Sequence, residues 1–94
     1  MKQKQLTVTI SENEDATFTL HVTGVFEELT DEFDRNALYV SIYRKDGVML
    51  QEAGMTMDHG GPFTYTIVTK HNPLLLSTIV DIRRRVKDDG FVSI

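Results

Sequence analysis

The stretch Asn72–Gly90, NPLLLSTIVDIRRRVKDDG, decides the reading of this chain. Asn72 followed by Pro73 has the form of a helix start. The amide side chain can cap the first turn, and proline suits a first position that needs no N–H partner. Leu75, Ile79, Ile82 and Val86 recur at spacings of four, three and four, and Leu76 and Val80 widen that stripe. Asp81 and Arg85 are four apart and can pair across one turn. The cations Arg83, Arg84, Arg85 and Lys87 fall where the negative end of a helix dipole would lie, and Gly90 suits a left-handed stop. Together these features predict an amphipathic helix over 72–90, aliphatic on one side and basic on the other.

Such a helix needs an apolar surface to lie on, and the preceding residues offer one made of strands. Leu6, Val8 and Ile10 alternate with threonines, and Ala16, Phe18, Leu20 and Val22 do so again after the polar link Ser11–Asp15. Two such runs joined by a short polar turn predict an antiparallel hairpin. Leu38, Val40 and Ile42 form the inward set of a third strand, with Tyr39, Ser41 and Tyr43 facing the other way. Asp46-Gly47 then marks a tight turn. Val48–Met57 predicts a fourth strand whose phase changes near Gln51 or Gly54. The turn Asp58–Pro62 leads to a fifth strand with Phe63, Tyr65 and Ile67 on one side. Phe91–Ile94 is either a last short strand or a tail. The segment Glu27–Asn36, EELTDEFDRN, predicts a loop with one helical turn, since Phe26, Leu29 and Phe33 are spaced three and four apart.

The predicted fold class is therefore α+β: a meander-like antiparallel sheet of about five strands with the C-terminal helix packed on one face. The alternative is a small β-sandwich with the helix appended. Ninety-four residues fit one compact domain over 1–94. Hydrophobic residues at 40% and charged residues at 26% exclude a disordered chain. No stretch approaches the ~18–20 apolar residues needed to span a bilayer, and MKQKQLTVTI lacks the apolar run of a secretory signal. The expectation is a soluble, cytoplasmic protein without a membrane partner. With no cysteine there is no disulfide framework, thiolate metal site or cysteine nucleophile.

The net charge is −4, and it sits in the first half: residues 1–47 hold five Lys/Arg against nine Asp/Glu, whereas residues 48–94 balance. A globally acidic chain makes nucleic acid an unlikely general partner, because duplex affinity comes from phosphate neutralisation. Catalytic patterns are missing. No serine stands in a nucleophile elbow, no phosphate loop is present, and no histidine pair has metal-ligand spacing. Neither an enzyme nor a cofactor is expected. What remains predicts binding. Tyr39 and Tyr43, on one side of a strand, are residue types favoured at interfaces. Glu28, Asp31 and Glu32, with Phe33 as an anchor, form an acidic segment able to steer a basic partner. The function expected is a small acidic protein–protein interaction module, with a homodimer among its possible partners. Alternative sites are a small-ligand or metal site near Asp58 and His59, and an anion or nucleic-acid contact through Arg83, Arg84 and Lys87 on the helix.

Overall fold

In a computed structural model, which describes residues 6–93, those residues form strands joined by turns and loops. They are β1 (Leu6–Glu12), β2 (Phe18–Phe26), β3 (Phe33–Tyr43), β4 (Met49–Met57), β5 (Gly61–Thr69), β6 (Ser77–Val86) and β7 (Phe91–Ser93). Two antiparallel sheets result, one in the order β1-β2-β5 and the other β4-β3-β6-β7. This strand order is that of an immunoglobulin-like β-sandwich whose fourth strand joins the second sheet. No helix among the described residues is long and apolar enough to cross a membrane.

The predicted helix over 72–90 does not form, and with it the α+β class falls. The alternative, a sandwich with an appended helix, fails on the same stretch. The capping signal at Asn72 is real, but it closes a single turn: Asn72 Oδ1 accepts the Leu74 N–H at 3.0 Å, and the Asn72 carbonyl accepts that of Leu75. The chain then extends as β6 and pairs with β3 along its whole length, Ser77 opposite Tyr43 through Val86 opposite Phe33. The physical reason lies in Thr78, Ile79, Val80 and Ile82. Branching at Cβ crowds a helical turn and suits a pleated strand with a neighbour on each edge. On a strand, Thr78, Val80, Ile82 and Arg84 face inward, while Ile79, Asp81, Arg83 and Arg85 face out. Asp81 therefore pairs with Arg83 at 2.7 Å, not with Arg85.

The second correction concerns Glu27–Asn36. The loop is real, but its last residues are extended: β3 begins at Phe33, and the Thr30 carbonyl accepts the Phe33 N–H in a tight turn. The second strand also starts later than its alternation suggests, since Ala16 lies in the turn with φ 66°. The fourth strand does change phase where expected, with a register shift opposite the Ile42/Tyr43 step.

Both sheets bury one face against the other. Leu20, Val22 and Phe26 of β2 and Phe63 and Ile67 of β5 meet Leu38 and Val40 of β3 and Ile82 of β6. Phe26 and Phe63 stack at 4.3 Å between ring centres. β4 lies over β5, as shown by Thr69 Oγ1 donating to Gln51 Oε1 across the two sheets.

One end of the core is closed by polar groups. Asn36, 1% exposed, donates through Nδ2 to the carbonyls of Glu27 and His59, both at 3.1 Å. Arg84, also buried, donates to the Glu28 carbonyl, stands 3.8 Å from the Glu27 carboxylate and lies over the Phe33 ring. The β2–β3 loop is thus wrapped around a cation from β6.

Candidate functional site: the outer face of the four-stranded sheet

The two outward faces of the sandwich differ in chemistry. On β1-β2-β5 most outward residues are small and polar, with Val25 and Val68 as exposed apolar exceptions. Thr7, Thr23 and Thr64 form one cross-strand row and Thr9, His21 and Thr66 the next, with His21 Nδ1 2.8 Å from Thr66 Oγ1. Threonine suits any solvated strand, and this face needs no further explanation.

The outward face of β4-β3-β6-β7 carries larger groups. Strand alternation puts Tyr39, Ser41 and Tyr43 of β3 on it, beside Ile79, Asp81 and Arg83 of β6, and Phe91 and Ser93 of β7. Tyr39 has no side chain opposite it on β4, where Gly54 stands. A Cβ added at Gly54 would lie 3.0 and 3.2 Å from two Tyr39 ring carbons and 2.7 Å from the Leu38 carbonyl. The tyrosine ring fills the room that the glycine leaves. The Arg83 guanidinium sits 4.2 Å from the centre of that ring, and Phe91 meets it edge-on at 6.3 Å.

Asp81 fixes the arginine. Its Oδ2 accepts from Arg83 Nε at 2.7 Å and from the Ser93 hydroxyl at 2.8 Å, so β6 and β7 are tied together. The Asp81 hydrogen bond holds the Arg83 pKa above its ordinary value. Further along, Ser41 donates to Glu52 at 3.3 Å. Tyr43 is half-buried, and Ile79, 50% exposed, stands outside any core. This face offers aromatic, aliphatic and cationic contact.

The predicted site residues scatter. Tyr39 and Tyr43 do share this face. Thr19, His21 and Thr23 lie on the outward face of the other sheet. Arg83, Arg84 and Lys87 cannot form the expected helix face, because adjacent strand residues point opposite ways. Arg83 lies outside on the sheet, Arg84 is buried at the core's end, and Lys87 is in the β6–β7 turn, its N–H bonded to the Glu32 carbonyl.

The acidic segment is partly spent internally. Asp34 pairs with Arg85 through two hydrogen bonds of 2.8 and 2.9 Å, and these bonds hold the Asp34 carboxyl below its usual range. Glu27 faces Arg84. Glu28, Asp31 and Glu32 are exposed, and Phe33 lies half-buried under Arg84. At the β4–β5 turn Asp58 accepts from the neighbouring His59 at 2.9 Å, which lowers the Asp58 pKa; both are exposed. No group of three or more metal-ligating side chains gathers there or elsewhere among the described residues.

Gly54, Ile79 and Phe91 were missed as members of the face. The signal for Ile79 was the β-branched run around it. That for Gly54 was a glycine in mid-strand, which marks a close approach.

No family model matches this chain, and no curated protein matches it. Among solved structures, it resembles part of a calcium-binding mutant of Bacteroides uniformis β-glucuronidase 2, with a TM-score of 0.51 at 18% identity. The match covers 95% of this chain and 12% of that one, so the chain spans a small part of that protein's length. At this identity the likeness concerns the fold alone.

Proposed function

We propose that the chain is a non-catalytic interaction module that engages a partner protein through the outer face of its four-stranded sheet. The observation that carries this reading is the contrast between the two faces. Tyr39, Tyr43, Ile79, Arg83 and Phe91 gather on one, whereas the other carries mainly threonine with His21, Val25 and Val68 and no exposed aromatic ring or arginine. Tyrosine, phenylalanine and arginine are the residue types enriched at protein interfaces.

Order on this face supports the same reading. Tyr39 is held between Gly54 and Arg83, and Arg83 is held by Asp81, so little side-chain freedom remains to be lost on binding. The exposed carboxylates of Glu28, Asp31 and Glu32 are on the loop that leads into β3. They suit a partner whose apolar patch is rimmed by basic groups, and they would raise its association rate.

The test pairs two surface variants in a pull-down from the native source. Tyr43→Ser with Ile79→Ser removes the apolar part of the face without entering the core, and His21→Ser alters the opposite face. A partner held by wild type and by His21→Ser should be lost or weakened at least ~10-fold by the double variant, the scale of interface anchors. A partner retained equally by all three would place binding elsewhere on the molecule.

A further inference from the structure

We infer that β4 is a docking edge for a second copy of this chain, pairing antiparallel with its own counterpart so that two four-stranded sheets join into one of eight strands. The inference concerns a strand edge and stands apart from the sheet-face reading above.

The four sheet edges are not equally open. β7 is only three residues long, and β5 has Pro62, which lacks an N–H, at its second position. β1 likewise lacks proline and lysine and has one charge, Glu12, but it is two residues shorter than β4. β4 runs nine residues, Met49–Met57, with no proline, no lysine and a single charge, Glu52. Among the described residues only β3 pairs with it. A long edge with few charges leaves a row of backbone donors and acceptors ready for another strand.

The sequence of β4 favours its own copy as that strand. For the two sheets to be continuous with both cores on one side, paired residues must lie on the same face. Even-numbered residues must then meet even-numbered ones. The register centred on Glu52 would set the two carboxylates directly opposite, which is unfavourable. The register centred on Ala53 sets Gln51 opposite Met55 within the regular part of the strand, while Met49 and Leu50 lie beyond the bulge. In that register Glu52 meets Gly54 of the second copy, where no side chain competes for space. What lies on Gly54 is the phenol of Tyr39, a hydroxyl donor beside an incoming carboxylate acceptor. Glu52 binds Ser41 through one oxygen, which leaves the other for this contact. The half-exposed methionines Met55 and Met57 lie on the inward side of the same edge and would be covered with it.

Because the chain has no cysteine, one engineered thiol reports the pairing. Opposed residues of an antiparallel pair have Cα atoms about 4.5–5.5 Å apart, within the span of a disulfide. Under mild oxidation Ala53→Cys should give covalent dimer as its main product, whereas His21→Cys, on the far sheet, should not. Wild type should sediment with twice the chain mass as concentration rises, and its β4 amides should become protected from exchange over the same range. A wild type that stays monomeric at its highest soluble concentration overturns the inference. So does a dimer whose Ala53→Cys variant cross-links no faster than His21→Cys, or whose β4 amides exchange as freely as in the monomer. All these measurements use the isolated chain, so their failure leaves the partner-binding test untouched.

Discussion

Replacing Gly60 with alanine should open the polar end of the sandwich. An added Cβ would stand 2.7 Å from the Glu28 Cα, and 2.8 Å from both the Glu27 carbonyl oxygen and the Glu28 nitrogen. All three are backbone atoms, so no side chain can swing aside. The optimum for carbon–carbon contact is about 3.5–4.0 Å, and the β2–β3 loop and the β4–β5 turn must therefore separate. Overpacking of this kind costs about 1–3 kcal/mol. Separation also pulls apart the two carbonyls that Asn36 bridges, and a buried amide left without a partner costs about 1–3 kcal/mol. One displacement produces both effects, so they overlap, and the expected loss is about 2–4 kcal/mol. For a domain of this size that lowers Tm by roughly 10–25 °C. Urea unfolding with an unchanged slope is the assay. Gly90→Ala is the control: nothing lies within 4 Å of its added Cβ, and it should stay within about 0.5 kcal/mol of wild type. A Gly60→Ala variant as stable as Gly90→Ala would refute the proposed contact between loop and turn.

The strand assignment of Ser77–Val86 separates two residues that a helix would treat alike. Ile82→Ala, in the core, should cost ~2–5 kcal/mol, and Ile79→Ala, on the outer face, less than ~1 kcal/mol; equal losses by chemical denaturation would favour the helical stripe. Asp34→Asn should change the acid limb of stability. Arg85 holds the folded-state pKa of Asp34 below the ordinary 3.8, so its contribution is complete above that pH and is lost as pH falls below it. The gap between wild type and Asp34→Asn should accordingly shrink on acidification, and a gap that widens would reverse the sign of the argument.

Much of the sheet was legible in local alternation. Phe63, Tyr65 and Ile67 share one side of β5, and the shift within β4 was foreshadowed by Ala53, Met55 and Met57 running out of phase with Val48 and Leu50. β6 was not legible, for a specific reason. Its inward set is Thr78, Val80, Ile82 and Arg84, polar at both ends, because Arg84 is covered by a loop from elsewhere in the chain. Leu75, Ile79, Ile82 and Val86 meanwhile fit a helical period by coincidence, although Leu75 lies in the turn and Ile79 faces outward. The burial of Arg84 could not be read locally, since its acceptor, the Glu28 carbonyl, is 56 residues away. On the candidate face the two tyrosines were visible. The members from β6 and β7 were not, because the periodicity of 72–90 points to a helix and Phe91–Ile94 fits a short strand and a tail equally well.

That 56-residue reach of Arg84 governs the order in which the molecule can assemble. The hairpins β1–β2 and β3–β4 close over short turns and can form early. β3 cannot gain its second neighbour until β6 has been made, and pairings of such long range are slow because the intervening chain must first lose its freedom. On the ribosome, a nascent chain that stops short of β6 therefore holds β3 with one side unpaired, and its Leu38–Ile42 core row is only half covered. The loop over 27–32 has no cation to close around at that stage. Arrival of β6 gives β3 its second neighbour, covers the core and anchors the loop together, so folding should end in one late, cooperative step.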